Sequence, residues 1–183
     1  MSNKDVRMKR NKVFIYTILS LIISACTPPI EVNLENELLY DYAGYCSVYQ
    51  NSTLIKPYII VRKTKDNKIN ITIDQYYPEI GLYRKVGLVF SRVSAVEGKY
   101  NLNDDDIHTS LNSYITASDL MEVRYNLNLG SENFIHLTEV TEHSVKGFFQ
   151  VSFLRDTSMR KDIQAFLGGN AVYENGFFDA VLQ

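Results

Sequence analysis

Cys26 is the residue with the most specific chemical surroundings in this chain. Its thiol directly follows Ile23 and two small residues, Ser24 and Ala25, at the end of a charge-free apolar run. Small residues behind such a run are typical of the site at which an export segment is cut. The chemistry predicted here is cleavage of the peptide chain beside a thiol.

The residues before Cys26 have the organisation of a secretory signal. Residues 1–12 contain five basic side chains and one acid, Asp5, and residues 13–25 contain no charge. This layout matches the basic and apolar regions of a signal peptide. About 20 apolar residues are needed to cross a bilayer as a helix, so the run is too short for a permanent span. An ordinary signal peptide cut after Ala25 would leave Cys26 as a plain thiol.

The segment Ile23-Ser24-Ala25-Cys26 resembles the lipobox of bacterial lipoproteins, in which an aliphatic residue and two small residues precede a Cys. In that family the Cys thiol is acylated with diacylglycerol, and the peptide bond before it is then cut. The resemblance implies that Cys26 becomes the first residue of the mature protein and bears its lipid anchor. Several acyl chains on one residue give stable attachment, whereas a single chain is marginal.

The residues after Cys26 indicate in which membrane the lipoprotein would be held. Thr27 stands where Asp is the usual inner-membrane retention signal of Gram-negative lipoproteins, so the resemblance favours the outer membrane. Residues 26–37 include two prolines and are expected to form the lipidated Cys and an extended, flexible tether. Acidic residues directly after the Cys, which surface-exported lipoproteins of the Bacteroidetes often have, do not occur before Glu31. The periplasmic and the surface-facing leaflet therefore both stay open.

The histidines and an acidic triplet are the other candidate metal ligands. His108, His136 and His143 show neither H-x-x-x-H nor H-E-x-x-H spacing, so we expect surface or turn side chains. A calcium loop needs ligands at alternating positions, a Gly and a distal Glu, whereas Asp104-Asp105-Asp106 are consecutive. We expect a solvated turn there and no metal or other cofactor; a structural Ca²⁺ at this turn is the alternative.

Catalytic motifs are equally scarce. The chain contains no G-x-S-x-G, no G-x-G-x-x-G and no P-loop. Cys46, the one thiol left once Cys26 is lipidated, has no disulfide partner and no neighbouring base, so it is expected to be a small buried hydrophobe. We therefore assign no catalytic residue. The paired carboxylates of a glycoside hydrolase would leave no motif, so a hydrolase stays an alternative.

The charge balance limits the partners. Removal of residues 1–25 lowers the basic count from 19 to 14 and the acidic count from 21 to 20, which leaves a net charge of −6. A negative domain is unsuited to nucleic acid and to anionic membrane surfaces, because both are bound by basic patches.

The rest of the chain favours β-structure. The full sequence has 13 Tyr, 9 Phe and no Trp, with many Val, Ile and Thr. Ile69, Ile71 and Ile73 alternate with polar residues, so residues 63–73 predict a hairpin. Strand-like runs are residues 45–49, 55–63, 69–73, 86–93, 98–102, 114–117, 120–129, 134–141, 144–154 and 171–182. The expected fold is a single all-β domain over residues 38–183, an antiparallel β-sandwich or open barrel of short strands. Residues 158–167 predict a short helix.

Four segments of the C-terminal half resemble strands of a group of Bacteroidetes lipoproteins of unknown function. With the family's patterns, these are residues 98–102 (G-T-Y-x-L), 134–140 (I-x-I-T), 145–153 (V-x-G-T-F-S-F) and 173–179 (I-T-N-G-x-F-D). Order and spacing agree over residues 98–182, although Phe148 stands where Thr is usual and the connection 154–173 is long. The resemblance implies an antiparallel β fold and an envelope location, and it implies no activity.

Two glycines in these segments precede pairs of aromatic residues. Gly147 is followed by Phe148 and Phe149, and a second Gly-Phe-Phe run covers residues 176–178. A Gly within a strand suits a bulge or a close approach of another backbone. Because side chains alternate along a strand, one ring of each pair should face the core and the other the opposite face. The outward rings are either structural or part of an exposed patch for a ligand.

These observations predict a non-enzymatic envelope lipoprotein, held at the membrane through Cys26. Its β domain would bind a protein, glycan or peptide ligand by a sheet face or by loops, and would not bind nucleic acid. An inhibitor or immunity-type protein of the periplasm, and a small lipid-anchored hydrolase of an envelope polymer, are the alternatives.

Overall fold

The computed structural model describes residues 42–79, 82–115, 120–158 and 167–183. The lipidation motif Ile23-Ser24-Ala25-Cys26 and the tether lie outside the described residues, and so does most of the predicted helix, residues 159–166. None of the described ranges contains a helix that is long and apolar enough to cross a membrane.

The described residues form eleven β-strands and no helix, so the all-β prediction is confirmed. The strands belong to the compact unit Asp41–Gln183. They are β1 (Gly44–Gln50), β2 (Thr53–Ile55), β3 (Tyr58–Lys63), β4 (Lys68–Glu79), β5 (Leu82–Ser94), β6 (Gly98–Asn101), β7 (His108–Ile115), β8 (Leu120–Leu127), β9 (Phe134–Val140), β10 (Ser144–Arg155) and β11 (Asn170–Val181).

Four predicted strands differ clearly from the observed ones. Two begin earlier than predicted: β5 begins at Leu82 and not at residue 86, and β7 begins at His108 and not at residue 114. The run 55–63 is divided into β2 and β3 at Lys56 and Pro57, because a proline has no N–H to donate to a ladder. The predicted hairpin at residues 63–73 is confirmed, but β4 continues to Glu79 and pairs with β5 over its whole second half. Two tyrosines, Tyr76 and Tyr77, lie in this extension, and tyrosine packs well in a sheet.

All strands belong to one antiparallel sheet that curls into a half-barrel. The order of neighbours is β2-β1-β11-β10-β8-β7-β5-β4-β3, and a branch adds β9 to β10 and β6 to β9. The residues that follow β11 contact β3, the last strand in this order. Leu182 forms a parallel bridge with Val61, and Gln183 donates its N–H to the Val61 carbonyl at 2.9 Å. The curl therefore brings the chain's end back against β3.

The hydrophobic core lies on one side of the sheet, which we call the inner face. The alternating residues Ile69, Ile71 and Ile73 of β4 are buried there. Phe149 of β10 is the centre of an aromatic group, since its ring centroid lies 5.5 Å from that of Phe90 and 6.4 Å from that of Phe178. Fully buried rings of this size contribute several kcal/mol each in core truncations, about 3–5 by comparison with other proteins.

The register of β10 against β11 places each core ring over a glycine. Gly147 lies opposite Phe178, and Phe149 lies opposite Gly176. A Cβ on Gly147 would lie 2.9 Å from the Phe178 ring, and one on Gly176 would lie 2.5 Å from the Phe149 ring. The pairing of β9 with β10 also shifts register at Gly147. The prediction of a bulge or a close approach of another backbone is confirmed at Gly147, where a Cβ would overlap the His136 carbonyl; at Gly176 the close neighbour is the Phe149 ring.

We expect Gly147→Ala to destabilise the domain by about 1–3 kcal/mol, because the new methyl group would overlap the Phe178 ring and the His136 carbonyl. Urea unfolding of the β domain measures the change. Gly169→Ala is the matched control: a Cβ there meets nothing within 4 Å, so the free energy of unfolding should change by less than about 0.5 kcal/mol. Equal losses in both variants would contradict the packing described for Gly147.

Candidate functional site

Three aromatic side chains form a row across the outer face, the side of the sheet opposite the core. The row consists of Tyr45 on β1, Phe177 on β11 and Phe148 on β10. The ring centroids of Phe148 and Phe177 lie 5.4 Å apart, and those of Phe177 and Tyr45 lie 6.2 Å apart. Tyr45 is 47% exposed and Phe148 is 45% exposed. We call these three residues the aromatic row.

The row follows from the strand alternation described above. Phe148 pairs directly with Phe177 in the register of β10 and β11. Their sequence neighbours Phe149 and Phe178 point to the inner face and are 1% and 0% exposed. The prediction that each Phe pair divides its rings between the two faces is therefore confirmed, and the outward rings are adjacent.

The row continues toward the branch of the sheet as a polar surface. His136 on β9 lies opposite Phe148, and Lys99 on β6 lies opposite His136. Beyond them is an open groove of about 440 Å³. The Lys99 ammonium lies 4.0 Å from the centre of the Phe134 ring and 2.8 Å from a Glu132 carboxylate oxygen. The groove residues are Lys99, Asn101, Asn103, Glu132, Asn133 and Phe134.

Charged side chains border the aromatic row. The Lys146 ammonium on β10 lies 3.2 Å from Glu139 and 3.7 Å from Asp179. The hydrogen bond that Lys146 donates to Glu139, the charge of Asp179 and the charge of Glu139 raise the pKa of Lys146. All three side chains are well exposed, and exposed ion pairs contribute little stability. These three side chains form a charged margin beside the apolar aromatic row.

A second cluster lies on the outer face of β3, β4 and β5. We call it the Asp74 cluster; it consists of Asp74, Lys85, Tyr42, Tyr76 and Tyr58. The Asp74 carboxylate is 2% exposed and lies 2.9 Å from the Lys85 ammonium. Tyr42 donates its hydroxyl hydrogen bond to the same Asp74 oxygen, and the Tyr42 and Tyr76 hydroxyls lie 3.1 Å apart.

Lys85 and Tyr42, the two donors to Asp74 in this cluster, hold their protons at neutral pH. Burial lowers the pKa of Lys85, but the charge and hydrogen bond of Asp74 outweigh it, so the net pKa is raised. Burial first, and then the Asp74 hydrogen bond, raise the pKa of Tyr42 far above its ordinary value. An ammonium and a phenol that both hold their protons can orient a carboxylate, but they cannot accept a proton from a substrate.

A third polar group lies within the core. The Gln50 amide donates to the Tyr173 hydroxyl at 2.7 Å, and the Tyr77 hydroxyl donates to the Gln50 carbonyl at 2.9 Å. Burial raises the pKa of Tyr173. These bonds satisfy polar atoms that would otherwise be costly to bury, so we interpret the group as structural.

The candidate residues from the sequence do not converge on a reactive centre. His108, His136 and His143 are exposed, and so are Asp104–Asp106, as expected for surface and turn positions. Cys46 is 2% exposed, which confirms the expectation of a buried hydrophobe, and burial raises the pKa of its thiol to about 12. Within the described ranges, no group of three His, Cys, Asp or Glu residues is placed to hold a metal ion.

The four C-terminal segments 98–102, 134–140, 145–153 and 173–179 lie side by side in the sheet. They correspond to β6, β9, β10 and β11, which pair in that order. These strands provide two members of the aromatic row and three of the six groove residues, Lys99, Asn101 and Phe134. Sequence reasoning identified Phe148 and Phe177 but missed Tyr45, because nothing local shows that β1 lies beside β11.

The Asp74 cluster was also missed. Asp74 follows the alternation of Asn70 and Thr72, which indicates a solvated face, yet Tyr42 covers it from 32 positions earlier in the chain. Comparisons with protein-family models, with curated proteins and with solved structures find no match to this chain. The function is therefore inferred from the residues and from the geometry of the outer face.

Proposed function

We propose that this protein is a non-enzymatic lipoprotein of the bacterial cell envelope, attached to the outer membrane through Cys26, and that its β domain binds a protein partner through the aromatic row. The observation that supports the binding role most directly is the row itself. Phe148 and Tyr45 are almost half exposed although both lie in paired strands, Phe148 within β10 and Tyr45 near the start of β1. Large apolar side chains in that position mark interaction sites when they are contiguous.

The geometry of the row favours a protein over a glycan. The Phe148 and Phe177 rings are tilted by 53° and the Phe177 and Tyr45 rings by 50°. Tilted rings that pack on one another offer no flat platform for a sugar ring. They do offer protruding anchors, and aromatic anchors surrounded by a polar margin are typical of protein-binding hot spots. Lys146, Glu139 and Asp179 form such a margin.

The chemistry of the described residues supports a role without catalysis. In the Asp74 cluster, Lys85 and Tyr42 hold their protons and both bind the Asp74 carboxylate, and the groove at Lys99 contains a single carboxylate, Glu132. Glycoside hydrolysis needs two carboxyl groups on opposite sides of the scissile bond. A hydrolase is therefore the weaker of the alternatives, and a periplasmic inhibitor is a special case of the proposed protein binding.

The proposed anchor rests on the basic start, the apolar run and the Ile23-Ser24-Ala25-Cys26 motif. The chain enters the described sheet at Tyr42, and the segment from Cys26 to Tyr42 spans at most about 55 Å when fully extended. The domain would thus stay within a few nanometres of the membrane, where an envelope partner is reached.

Cys26→Ala should leave the chain as an uncleaved precursor without acyl chains, because the thiol is the proposed acceptor of the lipid. Metabolic labelling with palmitate, followed by intact-mass measurement, reads out both effects. Cys46→Ala is the matched control, since Cys46 is buried in β1 and its removal should leave labelling unchanged. Palmitate that persists in Cys26→Ala would refute the anchor.

Phe148→Ala should weaken partner binding at least about tenfold, as truncation of a hot-spot residue does, while the domain stays folded. The partner is first captured in intact cells by a photo-crosslinking amino acid at position 148, identified by mass spectrometry and purified. The dissociation constants of Phe148→Ala and of a control variant, Leu154→Ala, are then compared with that of the unaltered protein.

Leu154→Ala is the control for this experiment. Leu154 lies on the same strand, β10, and is 44% exposed, against 45% for Phe148, but it is outside the row. Its replacement should leave the affinity unchanged, and a crosslinker at 154 should not capture the partner. Equal crosslinking at both positions, or capture of glycan alone at 148, would contradict protein binding by the row.

A further inference from the structure

The contacts of Tyr42 show how the chain enters the sheet. Tyr42 precedes β1 by two residues, yet its side chain lies on the outer face of β3 and β4. Its ring centroid lies 5.4 Å from that of Tyr58 on β3, and its hydroxyl donates to Asp74 on β4. Tyr42 therefore binds a part of the sheet that is not the hydrogen-bonding partner of β1.

The acceptor of this bond is held in place from several sides. The Lys85 ammonium binds the same Asp74 oxygen at 2.9 Å. The other Asp74 oxygen has no hydrogen-bond partner among the described residues. It lies against Gly87, where an added Cβ would be 3.1 Å from it. A buried carboxylate is strongly destabilising when its partners are removed. Among the described residues, the Tyr42 hydroxyl is thus one of two donors that stabilise the buried Asp74 carboxylate.

The first contacts between β1 and β11 lie directly after Tyr42, and they are few. The Ala43 carbonyl accepts the Val181 N–H at 2.9 Å, and Gly44 pairs with Ala180. Gly44 has a φ of 151° and passes so close to β11 that a Cβ would lie 2.6 Å from the Ala180 Cα. Pairing at the end of a ladder opens first, because little buried surface holds it.

We infer that Tyr42 acts as a lock at the entry of the chain: it fastens the N-terminal end of β1 to Asp74 and Lys85, so that a pull from the preceding segment acts on β4 and β5 instead of peeling β1 from β11. Without this contact a pull at residue 42 would load the Val181–Ala43 hydrogen bond first, and then the pairs of β1 one after another.

The lock has a consequence for the aromatic row. Tyr45 lies three positions after Tyr42 and forms the β1 end of the row. Fraying of β1 would displace Tyr45 from Phe177. The part of this inference that concerns a pull on a membrane anchor rests on the proposed function, whereas the lock itself depends only on the contacts of Tyr42.

Amide hydrogen exchange of the full chain in detergent tests the lock. Tyr42→Phe keeps the ring and removes the hydroxyl that binds Asp74. We expect exchange of the Val181 N–H to become at least about tenfold faster, because the entry of β1 opens more often. The Ser152 N–H, which donates to the Asn133 side chain at 2.8 Å, should exchange at its original rate and shows that the rest of the sheet is intact.

Tyr58→Phe is the matched control, since it removes a hydroxyl from the ring against which Tyr42 packs and leaves the Asp74 bond in place. Its Val181 exchange should equal that of the unaltered protein. Unchanged Val181 exchange in Tyr42→Phe, or an equal acceleration at Val181 and Ser152, would overturn the lock. Either result is independent of partner capture at position 148, so failure of the lock and failure of the proposed function are distinguishable.

Discussion

The register between β10 and β11 is the constraint on which the rest of this structure depends. Two Gly-Phe-Phe runs face each other in antiparallel order, so that each core ring lies over the glycine of the other strand. A slip of either strand by one residue would move its core ring, Phe149 or Phe178, to the outer face and would force side chains into space that only glycine leaves free. The same register places Phe148 beside Phe177 on the outer face. The aromatic row is therefore a consequence of how the core is packed.

The two ends of the outer face differ in what they expose and what they bury. On β1, β10 and β11 it exposes aromatic rings with a charged margin, while on β3, β4 and β5 it buries a carboxylate under tyrosines. Burial of a charge is tolerated at Asp74 because Lys85 and Tyr42 both bind it. The arrangement ties the start of β1 to distant strands, and β1 in turn supplies Tyr45 to the row. The contact of Tyr42 with Asp74 and the position of Tyr45 in the aromatic row thus both depend on one short segment, residues 42–45.

Much of the fold could be predicted from local patterns, and the site only in part. Alternation at Ile69, Ile71 and Ile73 predicts β4, and the Gly-Phe-Phe runs predict rings on both faces. The extension of β4 to Glu79 and the division at Pro57 depend on pairing partners that local alternation does not reveal. Neighbours such as β1 and β11 are far apart in sequence, so the position of Tyr45 in the row has no local signal. Asp74 appears solvated in sequence because the tyrosine that covers it belongs to another part of the chain.

A nuclear Overhauser spectrum of the β domain tests the central constraint most directly. If the register is as described, ring protons of Phe148 will contact those of Phe177, and the Gly147 and Gly176 Hα protons will contact the rings of Phe178 and Phe149. The two glycine signals will also be shifted by those rings. Contacts that place the Phe148 ring against Phe90 in the core, or glycine protons with no ring nearby, would contradict the register and with it the origin of the aromatic row.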